Sequence, residues 1–158
     1  MNKIPWKTYA AWILLAEGVG GLSGWLTQKG AKLYEQNMVQ PPLSPPALVF
    51  PVVWGVLFVL MGVGAARIYL SPASRARTGS LLLFLVQLAF NFCWSIIFFN
   101  LRRFGFAFLW LIALWGLILG MILSFRQVDR TAAWLQVPYL LWVTFAAYLN
   151  LGVWTLNG

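Results

Sequence analysis

The side chains of this chain that could do chemistry are tryptophans, amides and small residues, not acids, bases and nucleophiles. Gln87, Asn91 and Ser95 recur at i, i+4 and i+8, which sets them in one stripe along a helix. Amides in apolar surroundings need hydrogen-bond partners. The stripe therefore either bonds across to a neighbouring helix or forms the polar wall of a cavity. Trp54, Phe58, Met61 and Ala65 share a second helical face. Trp142, Ala146 and Asn150 share a third, with Tyr139 and Ala147 beside them. Trp54, Trp142 and Asn91 together would frame an apolar pocket with a few polar points, suited to a flat hydrophobic ligand. The alternative is that these tryptophans are core or belt residues, which a chain with ten Trp can supply. The chain has no histidine, which removes imidazole acid/base chemistry and His-ligated haem. Cys93 is the single cysteine, so no intrachain disulfide forms. Glu17, Glu35 and Asp129 are the only acids and lie far apart in sequence. No motif of a hydrolase, kinase or dinucleotide binder appears, and no metal site is expected.

The elements that must position these residues are membrane helices. The chain is 61% hydrophobic and 9% charged, where a soluble domain carries about 25% charged residues. The net charge is +8, but Lys and Arg stand singly or in pairs between apolar runs. They read as interfacial anchors, and no nucleic-acid partner is expected. The apolar runs predict an all-α membrane protein, a bundle of five transmembrane helices over about residues 6–27, 46–69, 79–100, 104–125 and 132–154, forming one domain. Spans of ~22 residues reach ~33 Å, enough for a bilayer core of ~30 Å. Lys3 and Lys7 precede an apolar run as in a signal peptide, but Glu17 interrupts it, so a retained first helix is expected. Glu17, Gly21 and Gly24 should face the bundle interior, beside a GxxxG pair at Gly20 and Gly24. Between the first two helices, a loop over 28–45 ends in Pro41, Pro42, Pro45 and Pro46. These prolines stiffen it, and it is expected to act as a lid. Pro51 should loosen the start of the second helix. Trp110, Trp115 and the Gly116/Gly120 pair of the fourth suit lipid contact or a subunit interface. Seven basic residues (Lys3, Lys7, Arg67, Arg75, Arg77, Arg126, Arg130) fall on one side and four (Lys29, Lys32, Arg102, Arg103) on the other. The positive-inside rule places the amino end in the cytoplasm and the proline loop outside.

Three stretches resemble the translocator protein family, TspO/MBR: Pro41 to Gly62 (PPLSPPALVFPVVWGVLFVLMG), Gln87 to Phe99 (QLAFNFCWSIIFF) and Trp134 to Trp154 (WLQVPYLLWVTFAAYLNLGVW). Their order and spacing match over nearly the whole chain. The resemblance implies a five-helix bundle in a bacterial membrane, often a homodimer, whose first long loop closes a pocket. It implies binding of porphyrins such as protoporphyrin IX, of haem, or of drug-like hydrophobic ligands, with no obligatory cofactor. The resemblance assigns Tyr34, Trp54, Asn91, Trp142, Ala146 and Ala147 to the ligand, and the reading of the residues adds Pro41, Pro45, Phe58, Gln87, Ser95, Tyr139 and Asn150 as candidates. Some members are associated with light-dependent porphyrin breakdown, for which Trp54 and Trp142 match the two pocket tryptophans. Sensor or carrier, porphyrin-degrading enzyme and passive transporter all need the same pocket. Two departures stand out: Gln40 and Leu43 occupy the positions of the usual loop Lys and Trp. Without histidine, a metal-free porphyrin, or haem held by stacking and its propionates, is expected. Lys29, Lys32, Arg102 and Arg103 lie on the lid side to attract those propionates.

Overall fold

The computed structural model describes residues 4–157, and among them it is helical with no strand. Lys3, counted above among the basic residues, lies outside the described residues. The helices are α1 (Trp6–Asn37), α2 (Val49–Tyr69), α3 (Arg75–Ser95, continued by a π turn over Ile96–Asn100), α4 (Phe104–Val128), α5 (Arg130–Leu135) and α6 (Val137–Asn157). Because α5 and α6 form one interrupted rod, there are five rods, as the sequence predicts. Four of them are long and apolar enough to cross a membrane: α2, α3 with its π turn, α4, and α5 with α6. This is an all-α, multi-pass membrane protein.

The largest departure from expectation is α1. It does not stop near Thr27 but runs 32 residues, about 48 Å at ~1.5 Å per residue. The loop expected over 28–45 shrinks to residues 38–48. Lys29, Lys32, Glu35 and Gln36 are good helix formers, so their polarity does not end the helix. Tertiary contacts hold the extra turns. Gly30 is buried against the Phe99 carbonyl, where a Cβ would sit 2.6 Å from the oxygen. Asn100 Nδ2 donates to the Leu26 carbonyl at 3.0 Å.

The inner face of α1 also differs from expectation. Gly21 and Gly24 are exposed and Glu17 is half-buried, so that stripe does not face inward. The packed stripe is Ala16, Gly20, Ser23, Thr27 and Gly30, spaced at 3.6-residue intervals. Ala16, Ser23, Thr27 and Gly30 are buried, and Gly20 lies directly under the Phe58 ring. These small residues let α2 and α3 approach closely.

At the other boundaries, local chemistry decides. α2 starts at Val49, after a turn over Pro46–Leu48, and not at Pro46. Pro51 falls in its first turn, where its missing N–H is an orphan anyway, so it braces the helix start instead of loosening it. α3 begins at Arg75 because Ser74 caps it, its hydroxyl accepting from the Arg77 N–H at 3.0 Å. Asp129 caps α5 by accepting from the N–H groups of Thr131 and Ala132. It also binds Arg67 Nε at 3.0 Å, tying α5 to α2. The fifth rod is broken at Gln136, just before Pro138 removes a helical donor.

In the bundle, α1 packs on α2 and α3, and α4 packs on α3, α5 and α6. Trp110 and Trp115 are half-buried. Trp110 stacks on Phe90 at 4.3 Å and donates to the Phe90 carbonyl at 2.9 Å, and Trp115 donates to Thr144 Oγ1 at 2.9 Å. Gly116 and Gly120 have open space where a Cβ would stand, so that pair faces outward.

Candidate ligand-binding site

The polar stripe of α3 is bonded across the bundle to α6. Tyr139 is fully buried on α6. Its hydroxyl donates to Gln87 Oε1 at 2.7 Å and accepts from Asn91 Nδ2 at 2.7 Å. One phenol thus ties two successive turns of α3 to α6. On its other side, the Tyr139 ring meets Trp54 of α2 edge-on at 6.1 Å, and Trp54 stacks on Phe58 at 5.6 Å. Trp54, Phe58, Gln87, Asn91 and Tyr139 therefore form one wall drawn from three helices. Ser95, the third member of the stripe, is half-buried where α3 passes into the π turn, and the network runs through the other two.

Nearer the lid, Asn150 makes a second polar link. Its Oδ1 accepts from Trp94 Nε1 at 3.1 Å and its Nδ2 donates to the Phe104 carbonyl at 2.8 Å. Ala146, buried, and Ala147, half-buried, keep this stretch of α6 narrow. Tyr34 lies in a different aromatic cluster, against Phe98 and Phe99 at 5.2 and 5.5 Å. That cluster includes Cys93 and Trp94 and does not contain the Trp54 wall.

The segment over 38–48 is fastened to α6. Pro41 is buried against Gly152, leaving no room for a side chain there. Tyr148 donates to the Pro42 carbonyl at 2.6 Å. Asn157 grips the Val39 backbone from both sides: its Nδ2 donates to the carbonyl at 2.8 Å and its Oδ1 accepts from the N–H at 3.0 Å. Pro45 is half-buried farther along. Leu43, where an aromatic residue was expected from the family pattern, has φ of 70°. It is 81% exposed and points away from the bundle.

Trp142 does not sit beside Trp54. Its ring packs on Phe50 at 5.9 Å and Phe145 at 5.5 Å. It lines a groove of about 670 Å³ between α2 and α6, with Val53, Leu57, Pro138, Leu141 and Phe145. The groove is apolar and open. Of the residues expected to hold a ligand, Trp142 alone lines it. Among the described residues, Trp142 Nε1 and Gln87 Nε2 are buried donors without an acceptor. Such orphans are uncommon and costly.

Trp94, Tyr148 and Asn157 were not anticipated. Trp94 had one available signal: Asn150 on an apolar helix needs a partner, and a Trp beside the Gln87–Asn91–Ser95 stripe can supply one. Tyr148 forms a polar stripe with Thr144 in the sequence, but its partner, like that of Asn157, is backbone, which carries no sequence signature.

The chain matches the TspO/MBR family over residues 12–155. It is 35% identical over 151 residues to tryptophan-rich protein TspO of Chlorobaculum tepidum, covering 95% of this chain and 96% of that one. It is 34% identical to protein CrtK of Rhodobacter capsulatus, over 95% and 93% of the two chains. With the translocator protein of Ovis aries it shares 34% identity, over 97% of this chain and 92% of that one. These matches span all five rods and both halves of the site, and the chain belongs to the TspO/MBR family.

Proposed function

We propose that this protein binds a porphyrin or similar flat tetrapyrrole between α2 and α6, and acts as a sensor or carrier of it. The observation that carries the reading is a buried donor without an acceptor, Trp142 Nε1, on a tryptophan that lines an open apolar groove. The groove's ~670 Å³ falls within the ~300–1,000 Å³ of small-molecule sites. A flat ring lies on Trp142 and Phe145, and its polar edge supplies the acceptor that Trp142 Nε1 lacks. The 38–48 segment is fastened to α6 beyond the groove, and the exposed cations Lys29, Lys32, Arg102 and Arg103 draw propionates to that end. The names of two relatives agree with this reading: one is a tryptophan-rich sensory protein from Cereibacter sphaeroides, another a translocator protein.

The test is a titration of the purified protein with protoporphyrin IX, in the dark and then under light, following absorbance and Trp fluorescence. Saturable quenching in the dark, with a stable spectrum under light, is the expected result. Protein-dependent bleaching to a new product would make the protein an enzyme instead. An absence of saturable binding would reject the ligand class.

A further inference from the structure

A second groove lies at the opposite end of the bundle from the 38–48 segment. It is about 320 Å³, between the end of α4 and the α5–α6 rod. Ile122, Leu123, Ala133 and Val137 form its apolar surface, and Arg126 and Arg130 stand at its edge. Both arginines are exposed. The nearest acid in sequence, Asp129, is engaged by Arg67 and by the α5 N-cap, so it does not neutralise them. Trp134 completes the lining and is 72% exposed, at the level where one rod ends and the next begins. A Trp at that level is an interfacial anchor.

We propose that this groove is a binding site for an anionic phospholipid. The two guanidiniums hold the headgroup phosphodiester, for which their planar forks are suited. The apolar surface takes the start of an acyl chain, and the Trp134 ring lies at the glycerol level. Charge complementarity selects this occupant. Within a bilayer every apolar groove is filled by lipid tails, but two unneutralised arginines at its mouth favour a headgroup with net negative charge. A zwitterionic lipid brings its own cation and gains less.

The test is native mass spectrometry of the full chain with phosphatidylglycerol or phosphatidylcholine of identical acyl chains. Wild type should retain phosphatidylglycerol about tenfold better. Arg126→Gln with Arg130→Gln should bring the two lipids level. Arg102→Gln with Arg103→Gln, the same loss of charge at the other end, should leave the preference intact. Equal retention of both lipids by wild type overturns the proposal, whether or not the variant folds. So does an equal loss in the Arg102/Arg103 variant, which would mean diffuse surface charge. Displacement of the lipid by millimolar inorganic phosphate would reveal a free-phosphate site and also overturn it. A change in dimer mass without a change in lipid retention would assign the groove to a second copy. A rise in thermal midpoint with phosphatidylglycerol, absent in the Arg126/Arg130 variant, is the expected independent readout.

Discussion

Two residues on α6 lie three positions apart, and their partners give them opposite roles. Tyr139 has both sides of its hydroxyl engaged, by Gln87 and Asn91. Replacing it with Phe leaves a buried Gln87 carboxamide unpartnered at both ends, since Gln87 Nε2 already lacks an acceptor. Tyr139→Phe should cost about 1–2 kcal/mol, near the upper range for interhelical hydrogen bonds in membranes. It would be read as a lowered unfolding midpoint in detergent. Trp142 Nε1, by contrast, makes no hydrogen bond that a substitution would break. Trp142→Phe should leave the midpoint within measurement error. It should weaken protoporphyrin IX about tenfold, the worth of a lost ~1.4 kcal/mol contact. If instead Trp142→Phe destabilises the protein and spares affinity, the indole is packing and the groove is not the ligand site. The sequence revealed Tyr139, Trp142 and the amides as candidates, but not this division of labour. Hydrogen-bond satisfaction depends on which neighbours the fold delivers, and residue spacing along a single helix does not contain that information.

The helices themselves show where sequence legibility ended. Apolar runs announced five rods because a bilayer demands long uncharged segments. They could not announce that α1 continues to Asn37, because Lys29, Lys32 and Glu35 serve a helix in water as readily as a loop. Nor could they identify the packed stripe of α1: Gly20, Gly21 and Gly24 are equivalent in sequence, and only the Phe58 ring over Gly20 distinguishes them. The same distinction makes a prediction for glycines elsewhere. Gly62 of α2 lies against the Ile13 backbone of α1, whereas Gly116 of α4 faces open space. Gly62→Ala forces two backbones apart and should cost about 1–3 kcal/mol. Gly116→Ala should be neutral or stabilising by up to ~1 kcal/mol, from helix propensity alone. Paired unfolding curves check both. The 38–48 segment responds to the same logic. Gly152→Val displaces Pro41 and Asn157→Ala releases Val39, so either change should speed proteolysis within 38–48 and accelerate ligand exchange while the helical signal persists. If cleavage stays slow in both variants, the segment is held by contacts other than these.

For the whole molecule, the basic residues at the two ends set which way the bundle faces. The ends sort into two groups. Leu26, Asn100, Val39 and Asn157 are brought together at one end; Arg67 and Asp129 are paired at the other. Lys29, Lys32, Arg102 and Arg103 belong to the first group, and the six other basic residues among those described to the second. The positive-inside bias then puts the 38–48 segment outside the cytoplasm and Arg126 and Arg130 within it. Because Gln36 is exposed in the last turn of α1, on this orientation it should project into the outer aqueous phase. In a Cys93→Ala background, Gln36→Cys should react with an impermeant maleimide on intact spheroplasts, and Ala73→Cys only after lysis. Both positions are exposed, so reactivity reports the side of the membrane and not burial. The reverse pattern would turn the molecule over and place the 38–48 segment in the cytoplasm. The two sites would then exchange leaflets. Since an anionic cytoplasmic leaflet favours arginine-edged grooves, this labelling also decides whether the proposed lipid site faces the leaflet richest in its ligand.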